Sequence, residues 1–394
     1  MGFGLPRARV AARALRRPRA GHPWVFRDDV AEPPVAPHGA LGEVVGPTGR
    51  VVGHAFFSAH SKIMLRFVNR TADPPAAGYW RRLAFDAVAY RDGVVEGDTD
   101  AYRVLFGESD GIPGLVADRY GDHLVVQVLT AGAERILDEV LDALRDAGVG
   151  VASVLARNDP AVRSLEKLER EVRQIRGVTP ERIEVREHGV VFVVEPWTGQ
   201  KTGAFLDQRE NRRAAGDRSR GEVLDLFAYH GSFALHAARN ADRVLAVDSS
   251  RTALERAGEN AARNGLDNVE VLEANAFDAL RAFGREGRRF DTILLDPPAF
   301  ARSRRDVDAA RRGYREINLR AMRLLGDDGI LVTSSCSYNL GEPAFTDVLA
   351  EAAADAGRSF VVLERRTQAP CHPIRLGFPE SQYLKCLLLR NRTA

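Results

Sequence analysis

Four short apolar runs in the second half of the chain end on polar side chains that could hold a ligand. Val223 to Phe227 contains Asp225 and leads through Phe227 to Gly231. Val244 to Val247 ends on Asp248 and Ser249, and Val269 to Leu272 leads to Asn275 and Ala276. Thr292 to Leu295 ends on Asp296, followed by Pro297, Pro298 and Phe300. Each run has the length of a buried parallel strand, and paired prolines continue neither strand nor helix. Asp296 is therefore presented at the carboxyl end of a strand, where open α/β sheets place their ligands. The prolines fix the carbonyls beside the acid, and Phe300 offers a flat face. An acid, rigid acceptors and an aromatic plane suit a nucleobase better than a sugar or an acyl group.

The other strand ends fit parts of one ligand. The loop from Asp225 through Phe227 to Gly231 predicts a tight entry into a helix N-terminus, where backbone must approach a ligand closely. Its spacing is not G-x-G-x-x-G, which disfavours a dinucleotide pyrophosphate. Asp248, one strand later, is placed to accept hydrogen bonds from ribose hydroxyls. Asn275-Ala276 can border an adenine edge. Any one of these acids alone is more often an ordinary strand end or helix cap; their order is the specific signal.

Strands alternating with helices predict βαβ units and a mostly parallel sheet. The helices follow Gly231 through Arg239 and run from Ser250 to Asn264. A fifth strand, Ile330 to Ser337, carries Cys336. Phe360–Leu363 and Tyr383–Leu389 supply two more, as an antiparallel edge pair.

Upstream, residues 1–72 read as a small β-rich unit. Gly42–Val45, Val51–Phe57 and Ile63–Val68 are strands separated by Gly and polar turns. Arginines at 7, 9, 13, 16, 17 and 19 suit an organelle-targeting peptide, a solvated helix face or, as the sharper reading, an RNA backbone. After Asp73-Pro74-Pro75, residues 76–190 read as an α+β block with a helix over Trp80–Tyr90. Strands follow at Tyr102–Phe106, Leu115–Asp118 and His123–Val128, then a helix over Ala133–Ala147, a strand at Val151–Ala156 and a hairpin closing on His188-Gly189. Residues 191–394 form the third part.

With 394 residues, 45% of them hydrophobic, the chain is long enough for two or three cores. A formal net charge of +2 does not advertise nucleic-acid binding by the whole protein. Lysine occurs only at 62, 167, 201 and 385 against a large excess of arginine. Three widely spaced cysteines, 336, 371 and 386, support neither a disulfide framework nor a zinc site. No apolar run spans a membrane, so a soluble cytoplasmic protein is expected.

The ordered strand ends resemble the class I S-adenosylmethionine-dependent methyltransferase fold. The wider chain is similar to one family, the large-subunit ribosomal RNA cytosine-C5 methyltransferases with an N-terminal PUA domain. The matching stretches are Gly21–Phe26, Asp110–Leu115, Lys201–Arg209, Asp296-Pro297-Pro298, Gly313–Asn318, Ser335-Cys336-Ser337 and Tyr383-Leu384-Lys385. The resemblance implies a PUA-like domain, an α+β middle domain and a Rossmann-like catalytic domain with a mostly parallel seven-stranded sheet. It implies S-adenosyl-L-methionine as cofactor, no metal, and ribosomal RNA as partner; a homodimer is compatible with it. Arg209, in a stretch that reads as a lid, would lie near the cofactor carboxylate. Lys201 joins Pro297, Pro298 and Phe300 on the substrate side, and Arg302–Arg312 could follow RNA phosphates.

The resemblance also gives Cys336 a chemical purpose. Carbon 5 of cytosine is a poor nucleophile toward a methyl sulfonium. A thiolate adding to C6 makes an enamine, whose C5 can attack the methyl group. Loss of the C5 proton and elimination of the thiolate restore the ring. Asp296 would hydrogen-bond the base near N3 or N4 as the thiolate adds. Without the resemblance, a free cysteine is more simply a small core residue, the reading given to Cys371 and Cys386. Ala299 stands where some related enzymes carry a second cysteine, so a one-cysteine mechanism follows. Two other readings remain: N-methylation of an exocyclic amine of adenine or guanine, which needs no thiol, and a non-catalytic RNA-binding assembly factor.

Overall fold

Five buried apolar strands and two more exposed edge strands in the C-terminal half assemble into one seven-stranded sheet. In this computed structural model, residues 5–301 and 304–392 are described. The strands are β14 (Glu222–Leu226), β15 (Arg243–Asp248), β16 (Val269–Glu273), β17 (Phe290–Leu295), β18 (Leu325–Ser335), β19 (Ser359–Arg366) and β20 (Lys385–Arg392). Their order is β16-β15-β14-β17-β18-β20-β19, parallel from β16 to β18. β20 runs antiparallel to both of its neighbours.

Alternate residues of the central strands serve opposite layers, as the pleat requires. Leu224, Leu226, Leu245, Val247, Ile293, Leu295 and Leu331 join one core with α8 (Ala276–Arg285), α9 (Val307–Leu324) and α10 (Glu342–Ala356). Val223, Val244, Ala246, Leu294 and Val332 join the other with α5 (Arg209–Gly216) and α6 (Ser232–Ala238). Helix α7 (Arg251–Arg263) links β15 to β16 and is capped by the Ser250 hydroxyl. Both faces are covered, which is why these strands read as nearly continuous apolar runs.

The first part of the chain forms a six-stranded sheet of β1 (Arg7–Val10), β2 (Trp24–Phe26), β3 (Val30–Glu32), β4 (Leu41–Val45), β5 (Val51–Phe57) and β6 (Ile63–Asn69), with the short helix α1 (Arg16–Arg19) after β1. A five-stranded sheet follows: β7 (Ala101–Phe106), β8 (Leu115–Tyr120), β9 (His123–Val128), β10 (Ser153–Arg157) and β11 (Val172–Gly177). It carries helices α2 (Tyr79–Val94), α3 (Ala131–Asp146) and α4 (Val162–Leu165); the hairpin β12 (Ile183–Glu187) and β13 (Val190–Val194) comes next.

Residues up to Val185, Val194–Leu206 and Pro370–Ser381 make one compact unit; Arg186–Val193, Asp207–Ala369 and the chain from Gln382 on make the second. The chain therefore leaves the second unit after β19 and re-enters it just before β20. No helix among the described residues is long and apolar enough to cross a membrane.

The structure differs from the sequence reading in local detail. β18 begins at Leu325, because Gly326–Gly329 is absorbed as an irregularity between the pairs Phe290–Leu325 and Thr292–Ile330. It ends at Ser335, leaving Cys336 just beyond the ladder. β11 goes unread because its arginines and glutamine break the apolar pattern. Arg7, Arg9 and Arg13 pair with Glu43, Glu32 and Asp29 at 2.6, 3.2 and 2.8 Å. Arg302 of the later arginine run lies outside the described residues.

Candidate active site

The strand order reverses at β14: the chain adds β15 and β16 on one side, then returns to β17 on the other. Such a reversal opens a crevice beyond the carboxyl ends of the strands. Asp225, Asp248 and Asp296 belong to that edge of the sheet, close enough that the charges of Asp248 and Asp296 act on Asp225.

Asp225 is buried on β14 and faces the α5–α6 layer. It accepts a hydrogen bond from the Ala234 amide, while its Oδ2 has no partner. Burial first, then the charges of Asp296 and Asp248, hold its carboxyl well above the ordinary range. Asp248 is half-buried. Its Oδ2 accepts from the Tyr229 amide and its Oδ1 from the Ser250 amide, both at 2.9 Å. The first bond fixes the loop between β14 and α6, which takes the left-handed conformation at Phe227 (φ 66°) and Tyr229 (φ 51°). Non-glycine residues rarely adopt it, and such strain concentrates where a loop approaches a ligand. Gly231 (φ 85°) is required by space as well: a Cβ there would sit 2.9 Å from that of Ala257.

Within this loop His230 is buried and stacks on Phe192, ring centroids 5.1 Å apart. Burial, with the Arg212 charge, pushes it down to about 3, so the imidazole is neutral. Ser249 is exposed beside Asp248. Asn275 is exposed and caps α8 by accepting from the Phe277 amide at 2.9 Å; Ala276 is buried in the first turn.

Asp296, half-buried after β17, accepts from Gln208 Nε2 at 2.8 Å. Gln208 is oriented in turn by Asn211, which donates to its Oε1 at 2.6 Å. Pro297 is buried and Pro298 exposed. The Phe300 ring lies 4.6 Å from that of Tyr314 on α9, and Gly313 leaves it room: a Cβ there would be 3.1 Å from the ring. Phe300 thus wedges the loop against the helix.

Cys336 is partly accessible, whereas Cys371 and Cys386 are buried. Burial pushes the Cys386 thiol up to about 12. The Ser337 hydroxyl accepts from the Ala301 amide at 3.2 Å and lies 3.0 Å from the Tyr314 hydroxyl. One hydroxyl therefore ties the cysteine turn, the Asp-Pro-Pro loop and α9 together.

On α5, Arg209 is fully buried. Its Nε donates to Glu210 at 2.7 Å, while Nη1 and Nη2 have no partner. Burial would raise the Glu210 carboxyl, but His188 and Arg209 hold it down to about 2. Arg212 is paired with buried Glu187 through a 2.6 Å bond from Nε, and His236 Nε2 is 3.2 Å from the same carboxylate oxygen.

Lys201 belongs to the first unit, where it is exposed, with its ammonium 4.6 Å from the centre of the Phe205 ring. The adjoining Thr202 is buried, donates to Asp118 at 2.6 Å and lies 2.9 Å from the Tyr120 hydroxyl. Asp118 is itself paired with Arg103 at 2.8 Å, so the loop carrying Lys201 is anchored in a buried polar network.

Sequence reasoning missed Gln208, Tyr314 and Ser337. Gln208 stands next to Arg209 in a stretch already singled out, and Ser337 directly follows the cysteine. Only the fold shows that they contact Asp296 and the Asp-Pro-Pro loop.

Asp225 has a measurable consequence. Its folded pKa lies above that of the unfolded chain, near 3.9. The folded state then binds more protons, so stability falls as pH rises from about 4 to the folded titration point and is flat above it. Asp225→Asn is expected to stabilise the ligand-free protein by about 1–3 kcal/mol at neutral pH, with the gain vanishing near pH 4. Thermal melts of the two proteins from pH 4 to 8 check this.

The sequence matches the S-adenosylmethionine-dependent methyltransferase family over residues 167–390 and the PUA-like domain family over residues 8–70. Ribosomal RNA large subunit methyltransferase I of Aeromonas salmonicida is 38% identical over 380 residues, covering 94% of this chain and 96% of that protein. The protein of the same name from Shewanella denitrificans is 39% identical over 380 residues, covering 94% and 95%. A candidate methyltransferase structure, SMU.776 complexed with SAH, superposes with a TM-score of 0.84 at 21% identity, covering 98% of this chain and 99% of that one. A second, from Streptococcus mutans, gives 0.82 at 20% identity with the same coverage. At such identities these two establish the fold.

Proposed function

Since the chain belongs to the family of S-adenosylmethionine-dependent large-subunit ribosomal RNA methyltransferases with a PUA-like domain, we propose that it methylates C5 of a cytidine through a Cys336 adduct. The observation that carries this reading is the setting of Cys336. It alone of the three cysteines is partly accessible, and its turn is tied through Ser337 to the loop after Asp296.

The residues present fit the cofactor. A methionyl group is a zwitterion beside a sulfonium. The two unpartnered guanidinium nitrogens of Arg209 suit its carboxylate, and the crowded acids Asp225, Asp248 and Asp296 suit positive charge. In this assignment Asp248 and Ser249 hold the ribose, Asn275 and Ala276 border the adenine, and Phe227 to Gly231 supplies the close backbone. When bound, the cofactor supplies an electrophilic methyl group.

The chain's own residues do the rest. Cys336 loses its proton to solvent and its sulfur bonds to C6 of the base, which turns C5 into a nucleophile. Asp296, oriented by Gln208, hydrogen-bonds the base as electron density moves toward N3. Pro297, Pro298 and Phe300 hold the base plane, with Lys201 on the RNA side. After C5 is methylated, transfer of its proton to water and cleavage of the carbon–sulfur bond return the thiolate and restore the ring. The same reading keeps the three-part division at 1–72, 76–190 and 191–394, with substrate RNA bound in part by the PUA-like part.

The test is transfer of labelled methyl groups to unmethylated large-subunit rRNA, followed by digestion to nucleosides. Label in 5-methylcytidine is the expected outcome. Label in an N-methylated purine would remove the thiol from the mechanism.

A further inference from the structure

Lys385 is one of four lysines in the chain, and it is 4% exposed. It opens β20 directly opposite Ser335, the last residue of β18. From there its ammonium reaches past the end of the ladder and donates to the Ser337 carbonyl at 2.7 Å and to the Tyr383 carbonyl at 3.0 Å. Cys336 is thus bracketed: the residue before it pairs with Lys385 along the ladder, and the residue after it accepts the Lys385 ammonium.

Burying an ammonium is costly, and two backbone carbonyls offset only part of that cost. An amide or an ordered water could satisfy the same two carbonyls, so hydrogen bonding alone does not explain a cation here. Burial pulls the ammonium down to about 8, against the opposing influence of Cys336 and Glu342. The phenol of Tyr314 also faces Cys336, and its own titration is raised by burial. Among the described residues, the groups coupled to the sulfur include the Lys385 ammonium and the Tyr314 phenol, with the Glu342 carboxylate acting on the cation.

We propose that Lys385 is a positioning residue for Cys336, clamping the turn that carries the thiol and supplying the charge that favours its thiolate. The proposal rests on the reading of Cys336 as the nucleophile. The lysine takes no proton from substrate; the thiol proton leaves to solvent before the sulfur adds, and the ammonium is neither proton donor nor acceptor in the step. The arrangement explains why the one partly accessible cysteine sits at a strand junction rather than on a loop of its own.

The experiment is the pH dependence of Cys336 alkylation by iodoacetamide in the full-length protein, read at the Cys336 peptide by mass spectrometry. Wild type, K385M, K385Q and K385R are compared. K385M is expected to raise the alkylation midpoint by about one pH unit or more, which slows labelling roughly tenfold at pH 7. K385Q keeps an amide donor but carries no charge, and is expected to behave like K385M. K385R is expected to keep the wild-type midpoint. In methyl transfer, K385Q should lower kcat with little change in KM and recover part of the loss at higher pH. A wild-type midpoint in K385Q or K385M overturns the proposal while leaving Cys336 free to be the nucleophile. Methyl transfer to C5 that survives Cys336→Ala would sink the nucleophile reading instead, and the alkylation profiles would still report on the lysine.

Discussion

Cys336→Ala is expected to lower methyl transfer to cytidine by roughly 10⁴-fold or more, the scale seen when an enzyme loses its nucleophile. Binding of the methyl donor should change little, because the residues proposed to hold it, Arg209, Asp225 and Asp248, are untouched. The size of the effect follows from the chemistry. Without an adduct at C6, C5 of an aromatic cytosine has no lone pair to offer. Cys371 and Cys386 are fully buried and cannot substitute. Single-turnover transfer at saturating donor, with donor affinity measured separately by calorimetry, distinguishes lost chemistry from lost binding. A variant that still methylates C5 within tenfold of wild type would sink the mechanism.

The second large effect is on stability. Glu187 and Arg212 are both buried, with His236 on the same carboxylate. Burial alone would raise the Glu187 carboxyl, but Arg212 and His236 overcome it and hold the group below the ordinary range. Removing one partner leaves an uncompensated charge in the interior. Arg212→Met or Glu187→Gln is expected to cost about 3–5 kcal/mol, read as the shift in urea midpoint. The double variant Glu187→Leu, Arg212→Met should recover most of that loss, since neither charge is then stranded. The pH dependence has a definite sign. A carboxyl depressed in the folded state contributes stability that is fully present above its unfolded pKa of about 4.3. That contribution is lost as pH falls toward the folded value. Wild type should therefore weaken steeply below about pH 4, and Glu187→Gln much less so.

Much of the second unit was legible because each buried strand announces itself and ends on a marked residue. Pro297-Pro298 cannot continue a strand, and Asp225 and Asp248 interrupt apolar runs, so the strand ends and their order could be read directly. The Gly326–Gly329 irregularity could not: Gly-Asp-Asp-Gly looks like a turn, and only the register with β17 shows β18 running through it. Side-chain partnerships were the least legible. Nothing in the spacing of Gln208 and Asp296, or of Tyr314 and Ser337, announces a hydrogen bond across so many residues, because the contacts depend on which strands become neighbours. Lys385 lies between these cases. Its rarity as a lysine was visible, but its place beside the cysteine turn needed the β18–β20 register.

The position of β20 also governs the order in which the protein can be made. β18 and β19 leave the ribosome first, yet they are not paired with each other; the strand that joins them is translated after both. Until then β18 offers a bare apolar edge, the kind of surface that invites wrong pairing with another chain. The turn bearing Cys336 would emerge without Lys385 to hold it, so that turn is completed only after the final strand is inserted. Synthesis and assembly of this sheet are thereby uncoupled, and nascent chains halted before Lys385 should be protease-sensitive and depend on chaperones.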